Sequence, residues 1–296
     1  MNAWEPITAV CGGEAETFRV LRPPAGVSAN ALVFASPHSG RVYPPGLMDA
    51  SRLDGQAIRR SEDAHVDVLI ADAPLHGATV IAAGLARVWI DVNRDPWELD
   101  PAMFEDELPA YAKARTARVA AGLGSIARIV SDGQEIYRRK LTFAEAVARV
   151  EGAHRPYHAA LADLVAQARR TRGAAVLVDW HSMPSAAARQ GAGSGGCDVV
   201  LGDRFGGSCG PAVSRLAELC FRDLGYSVAR NAPYAGGYTT EHYGRPSRKV
   251  HALQVEINRA LYMDERTLAP TSGFGGLKAD LESVFAALAA TDWAAI

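Results

Sequence analysis

Apolar residues fall along this chain in short dense runs, separated by longer stretches where they recur at helical spacing. The runs at 31–35 (Ala31-Leu-Val-Phe-Ala35), 78–83, 87–92, 174–179, 197–201, 226–230 and 250–257 are strand-length and rich in aliphatic residues. Continuous runs of this kind suit central strands covered on both faces. Residues 143–172, rich in Ala, Leu, Arg and Glu, place Ala144, Val147, Ala148 and Val150 near helical spacing, and 211–224 and 276–290 read the same way. Gly225 is a natural stop for the second of these helices. Strands alternating with helices predict an α/β fold, a three-layer sandwich with a central sheet flanked by helices. The runs 78–83 and 87–92, separated only by Gly84-Leu85-Ala86, predict a hairpin and therefore a mixed sheet.

No internal repeat and no long Pro-rich linker divides the chain, so one domain over 1–296 is expected, with its core at about 30–290. Two irregular stretches interrupt the pattern. One, 95–110, carries Pro96, Pro101 and Pro109; the other, 183–196, ends in Gly191-Ala-Gly-Ser-Gly-Gly196. Loops this long in a compact domain are functional or mobile, and either is placed to cover a site at the strand ends.

Composition narrows the partners. Of 296 residues, 48% are hydrophobic and 22% charged, ordinary values for a soluble enzyme-sized protein. The net charge of −2, from 31 basic and 33 acidic residues, gives no case for nucleic acid or an anionic membrane as partner. Cys11, Cys197, Cys209 and Cys220 form no CxxC pair, so neither a thiolate metal site nor a disulfide framework is expected. The N-terminus lacks a signal-peptide pattern and no apolar stretch reaches the ~18 residues of a membrane span, which makes the cytoplasm the expected location. Neither a heptad nor an apolar stripe predicts an oligomeric state. Gly191, Gly193 and Gly196 match GxGxxG, but they follow a polar loop and precede a strand, the reverse of a dinucleotide site. There is no GxxxxGK phosphate loop and no GxSxG nucleophile elbow.

Polar chemistry gathers instead at the ends of the runs. The first enters Ser36-Pro-His38-Ser-Gly40 and another enters Asp179-Trp-His181-Ser182. Carboxyl ends of strands are where open α/β sheets build ligand sites, and two imidazoles converging there suit zinc. Either His taken alone reads better as a strand cap held by local hydrogen bonds. A third ligand is needed, and Glu62 and Asp63 lie just before an apolar pattern, where Asp63 also fits a helix N-cap. His65 competes for the role, but Asp67 and His65 fit equally well on a solvated helix face. The run 87–92 exits into Asn93-Arg94-Asp95; Arg94 is suited to gripping a carboxylate through two parallel bonds, or to pairing with Asp91 or Asp95. Glu256, between Val255 and Ile257, is expected to be desolvated, which raises its pKa toward the range of a general base. Its alternative is a buried salt bridge to Arg259 or Arg248.

In order along the chain, Ser36-Pro-His-Ser-Gly40 with Tyr43-Pro44, Glu62-Asp-Ala-His-Val-Asp67, Val88-Trp-Ile-Asp-Val-Asn-Arg94, Val178-Asp-Trp-His-Ser182, Gly202–Cys209, Gly236–Gly244 and His251–Glu256 resemble the N-formylglutamate amidohydrolases. That family is similar in fold and site plan to the zinc carboxypeptidases and aspartoacylase-like deacylases. The resemblance implies a carboxypeptidase-like sandwich, one zinc ion per chain held by His38, Asp63 and His181, Glu256 as general base, and Asn93 and Arg94 on a substrate carboxylate. Arg245, or Arg248, would meet a second carboxylate from a loop at 236–248. The chain departs from the carboxypeptidase HxxE pattern, since Arg41 stands three residues after His38. The implied reaction is hydrolysis of N-formyl-L-glutamate, or another short N-acyl amino acid, to formate and glutamate in amino-acid catabolism. A related deacylase or γ-glutamyl peptidase would use the same residues. A non-catalytic binder of acidic metabolites would keep Arg94 with no need of Glu256.

Overall fold

Among the residues described by the computed structural model, 5–11, 15–189 and 196–296, eight strands form one mixed sheet. They are β1 (Glu5–Cys11), β2 (Ala15–Leu21), β3 (Leu32–Ser36), β4 (Thr79–Ala83), β5 (Ala175–Met183), β6 (Val199–Gly202), β7 (Val228–Arg230) and β8 (Val250–Asn258). Their order is β1-β2-β4-β3-β5-β8-β6-β7. The four central strands β4, β3, β5 and β8 run parallel; β2 and β6 flank them antiparallel. The chain passes from β3 to β4 on one side, then returns to β5 on the other. The crevice outside the carboxyl ends at such a reversal is the default ligand site of an open α/β sheet.

Side-chain alternation explains the layers. Leu32 and Phe34, with Val176, Val178 and Trp180, point to one face, where they meet the helices Pro211–Asp223 and Gly273–Ala289. Phe34, Trp180 and Phe285 pack edge to face there, with ring centroids 5.2–5.6 Å apart. Val33, Ala35, Ala175 and Leu177 point to the other face, against Tyr157, Leu161, Leu164 and Val165 of the helix Arg155–Arg172. A third apolar cluster, including Leu47, Val88, Phe104, Ile126, Ile136 and Leu141, fills the region beyond the sheet.

The expected strands at 31–35, 78–83, 174–179, 197–201, 226–230 and 250–257 match β3 to β8 within a few residues. The run 87–92 is not a strand, and no hairpin forms there. Val88, Ile90 and Val92 enter three different apolar clusters, so the segment cannot lie flat against one partner. The sheet is mixed for other reasons: β2 bridges β1 and β4, and β6 runs against β8. Residues 143–172 are helical throughout, as Phe143–Arg149 and Arg155–Arg172, but a π-helical turn at Val150–His154 joins them. Thr142 caps the first segment in a reciprocal capping box with Glu145. The stretch 95–110 contains a short 3-10 turn at Pro101–Met103, and 183–196 a short helix at Ser185–Ala188; Gly191 and Gly193 lie outside the described residues.

Candidate active site and metal centre

Strand alternation places the first site residues. In β5, Asp179 and His181 share the face opposite Val178 and Trp180; in β8, Gln254 and Glu256 share the face opposite Leu253 and Val255. The strands are paired so that His181 lies directly beside Glu256. His181 therefore sits inside its strand rather than beyond the end of it. His38 lies two residues past β3, in a turn closed by Gly40, where a Cβ would lie 2.1 Å from the Leu85 carbonyl oxygen. The His38 carbonyl accepts from the Asp63 amide at 3.0 Å, which brings the segment after 61 to the strand ends.

His38, Asp63 and His181 converge, with one potential ligand atom from each within 4.8 Å of the others, all buried. Asp63 Oδ2 lies 3.0 Å from His181 Nδ1 and 3.4 Å from His38 Nδ1. The far nitrogens are backed by carboxylates: His38 Nε2 meets Asp91 Oδ1 at 2.7 Å and His181 Nε2 meets Asp179 Oδ2 at 3.0 Å. A carboxylate that takes the Nε2 proton leaves Nδ1 with a free lone pair, the arrangement of metal-ligating histidines. His38 Nδ1 is buried without a hydrogen-bond partner. An orphaned imidazole nitrogen facing a second imidazole and a carboxylate fits a divalent cation. Burial works against the Asp63 charge, but the two imidazoles beside it hold its carboxyl well below the usual range.

Arg259 fixes Asp63 from behind. Its Nη2 donates to Asp63 Oδ1 at 2.9 Å and to the Glu62 carbonyl at 2.6 Å. Glu62 turns away, receiving Arg59 Nε and Nη2 at 2.9 and 3.1 Å and the Tyr43 hydroxyl. Asp63 is not a helix cap; the short helix Val66–Leu69 starts after His65, whose φ of 65° is left-handed. His65 Nε2 bonds the Leu268 carbonyl, and Asp67 pairs with Arg41 and Arg19.

Glu256 is buried beside this cluster, and among the described residues no cation pairs with it. Its one short side-chain partner is Gln254 Nε2, at 2.9 Å. Burial pushes its carboxyl up to about 7; the neighbouring His181 opposes that rise.

These groups line a cavity of about 660 Å³ together with Arg87, Arg94, Arg118, Tyr234, Gly236 and Gly237. Arg94 pairs with neither Asp91 nor Asp95: Arg87 Nη2 takes Asp91 Oδ2 at 2.6 Å and Lys113 takes Asp95 at 2.6 Å. The Arg94 guanidinium instead donates to the Leu123 and Asn93 carbonyls at 3.1 and 2.9 Å. Arg118 meets Glu98 only at 3.8 Å.

Asn93 also lines the cavity, with its amide engaged by the protein itself. Its Nδ2 donates to Asp179 Oδ2 at 3.0 Å, and its Oδ1 accepts from the Thr239 amide at 2.8 Å. Both ends of the amide are engaged in holding the site together. Gly237 packs so closely that a Cβ there would lie 2.6 Å from the Asn93 amide. Arg245 does not line this cavity. It lines a separate depression with Arg204 and Glu241 and bonds the Glu241 carbonyl at 2.9 Å, because the helix Tyr238–Tyr243 carries the chain away from the cavity. Arg248 ends a 3-10 turn and is also absent from the cavity lining.

The sequence reading did not identify Asp91, Asp179, Arg87, Arg118, Gln254 or Arg259 as site residues. Asp179 and Gln254 carried a signal, each standing two residues before a named candidate on a strand and hence on its face. Arg87, Arg118 and Arg259 arrive from segments whose proximity no local pattern encodes.

Residues 30–263 match the family model of the N-formylglutamate amidohydrolases. The chain belongs to that family. It is 31% identical over 238 residues to the N-formylglutamate deformylase of Pseudomonas aeruginosa, covering 79% of this chain and 83% of that protein. The Pseudomonas putida N-formylglutamate deformylase is likewise 31% identical, over 237 residues, covering 79% and 82%. The solved N-formylglutamate amidohydrolase of Ralstonia eutropha superposes with a TM-score of 0.86 at 38% identity, covering 92% of this chain and 97% of its own. A gene product of Agrobacterium tumefaciens shares the fold alone, with a TM-score of 0.64 at 17% identity. The architecture of this N-formylglutamate amidohydrolase family member is thus an α/β sandwich with a mixed sheet, and no helix among the described residues is long and apolar enough to cross a membrane.

Proposed function

We propose that the protein hydrolyses the formyl amide of N-formyl-L-glutamate to formate and L-glutamate, using one divalent cation held by His38, Asp63 and His181. The observation that carries this reading is the meeting, in one cavity, of a carboxylate-backed His–Asp–His donor set with a buried carboxyl that forms no ion pair among the described residues. Two imidazoles and one carboxylate are a zinc donor set, which leaves a position for a small ligand. Such an ion supplies Lewis-acid polarisation of an acyl oxygen and makes water a stronger acid.

The chain's own groups do the rest. Glu256, with a carboxyl near neutrality, accepts a proton from the attacking water at its carboxylate oxygen and returns it to the departing amine nitrogen. Gln254 Nε2 holds that carboxyl in place, while Gln254 Oε1 takes the Gly237 amide at 2.8 Å and fixes the facing wall. The substrate carries two carboxylates, and four guanidiniums line the cavity, of which Arg259 is committed to Asp63 and the Glu62 carbonyl. Arg94, without an ion pair among the described residues, takes the α-carboxylate; Arg118, weakly engaged by Glu98, is the stronger choice for the side-chain carboxylate than Arg245. Arg87 stays with Asp91 and behind His38. Fixing both carboxylates holds the formyl carbon near Glu256 and the donor set.

The test is an assay of the purified protein on a panel of N-acyl amino acids, with elemental analysis of the same preparation. N-formyl-L-glutamate is expected to be hydrolysed faster than N-formyl amino acids with neutral side chains, with about one zinc ion per chain. A preparation with no metal, or one that prefers neutral side chains, would refute the assignment.

A further inference from the structure

The helix spanning 143–172 sends three side chains to consecutive parts of the segment that carries Asp91, Asn93 and Arg94. Arg149 Nη1 donates to the Trp89 carbonyl at 3.1 Å, His158 Nε2 to the Val92 carbonyl at 2.7 Å, and His154 Nε2 to the Arg94 carbonyl at 2.9 Å. Carbonyl oxygens only accept, so both imidazoles carry their proton on Nε2. His158 Nδ1 is then an acceptor, and the Tyr243 hydroxyl stands 2.9 Å from it. The two rings lie 4.4 Å apart, and Tyr238 closes on them at 5.8 and 5.1 Å. Burial lowers the pKa of both histidines, that of His158 to about 3, so neutral donors are what the segment meets near neutrality.

The π-helical turn at Val150–His154 makes this alignment. In a regular α-helix, residues five apart point about 140° away from one another. The i→i+5 pattern of a π-turn brings Arg149 and His154 onto one face, and His158 follows at i+4. Without the extra residue, Arg149 and His154 would not address one segment together.

We propose that this helix is the strut of the substrate-binding segment, and that His154 and His158 are positioning residues for Arg94. The proposal rests on the reading of Arg94 as the group that takes the α-carboxylate. Arg94 is suited to transmit the effect, since its guanidinium donates to the Asn93 and Leu123 carbonyls and so moves with its own backbone. The carbonyls held by the two histidines flank Asn93, whose side chain reaches Asp179 and the Thr239 amide. The strut therefore bears on substrate affinity more than on the proton-transfer step at Glu256.

The test compares His154→Phe and His158→Phe, which keep a ring and lose the donor, with His154→Gln and His158→Gln, which keep an N–H. Each is assayed on N-formyl-L-glutamate and on the analogue whose α-carboxylate is amidated, with bound metal measured alongside. The phenylalanine variants are expected to raise KM for N-formyl-L-glutamate about tenfold, as for loss of a well-placed charge-assisted contact, with kcat within about twofold and metal content unchanged. KM for the amidated analogue should not move, and the glutamine variants should recover most of the loss. Unshifted KM in both phenylalanine variants, or an equal fall of kcat on both compounds, overturns the proposal. Should those variants not fold, Tyr243→Phe removes the hydroxyl that stands at His158 Nδ1 and also donates to the His158 carbonyl at 3.0 Å. It is expected to raise the same KM about threefold, and an unchanged KM there also overturns the role of His158. Wild-type protein in the same series separates the two claims. No wild-type turnover sinks the assigned reaction, whereas turnover with unshifted variants sinks only the strut.

Discussion

Two adjacent acidic residues, Glu62 and Asp63, show how much a single side chain's bearing decides. Both are buried, yet Asp63 faces the histidines and Glu62 faces Arg59 and Tyr43. The sequence places both near the site but cannot say which turns inward, because that choice is made by Arg259, some two hundred residues away. It does locate His38, Asp63, His181, Arg94 and Glu256, which one cavity brings together. It misplaces Arg245, since proximity of Gly236 and Gly237 to the site does not extend past the helix that follows them. At this scale the sharpest expectation concerns Glu256. Glu256→Gln should lower kcat by about 10²- to 10⁴-fold with bound metal retained, as read by steady-state kinetics and elemental analysis. Its pH profile follows from the raised pKa. The base works only when ionised, so kcat/KM should fall as pH drops through about 7, and at lower pH where a bound cation adds positive charge nearby. A wild-type profile flat from about pH 5 to 8 would remove Glu256 from the role.

Among the elements, β3 to β8 are legible as dense apolar runs, whereas β1 and β2 carry no such run and were not expected. What was not legible is the segment 87–94, whose Val88, Ile90 and Val92 imitate a strand while anchoring three separate clusters. The π-turn inside the helix was equally hidden, as apolar spacing over 143–172 is nearly helical with or without one extra residue. The aromatic cluster around Phe285 sits on the face of the central strands opposite the chemistry. Phe285 packs on Phe34 and Trp180 on the face away from His181 and Glu256. Phe285→Ala is therefore expected to cost about 3–5 kcal/mol in urea unfolding, with kcat per folded molecule unchanged. A fall in kcat at full folding would show that the two faces are coupled.

For the molecule as a whole, acid should be more damaging than base around neutrality. Burial lowers the pKa of His154, His158, His242 and His251 in the folded state, His158 to about 3 against 6.5 for an ordinary imidazole. The unfolded chain then binds more protons between those values, so their contribution is complete above about 6.5 and is lost as pH falls toward 3. Glu256 acts in the opposite sense, favouring the fold at low pH and less so as pH rises through about 7, and His181 acts with it, since Asp179 and Asp63 overcome burial and hold its pKa well above the usual imidazole range. The urea midpoint of the metal-free protein should drop between pH 7.5 and 5.5, and a rise would show that Glu256 and His181 outweigh the four buried imidazoles. The nine-residue pairing of β5 with β8, buried at the centre of the sheet, has a consequence for how the protein fails. Backbone amides there should exchange with deuterium only when the entire chain opens, while those of 87–94 exchange through smaller excursions. Gentle heating would then blur the grip on substrate first, and leave the cation's cradle as the last piece of the fold to dissolve.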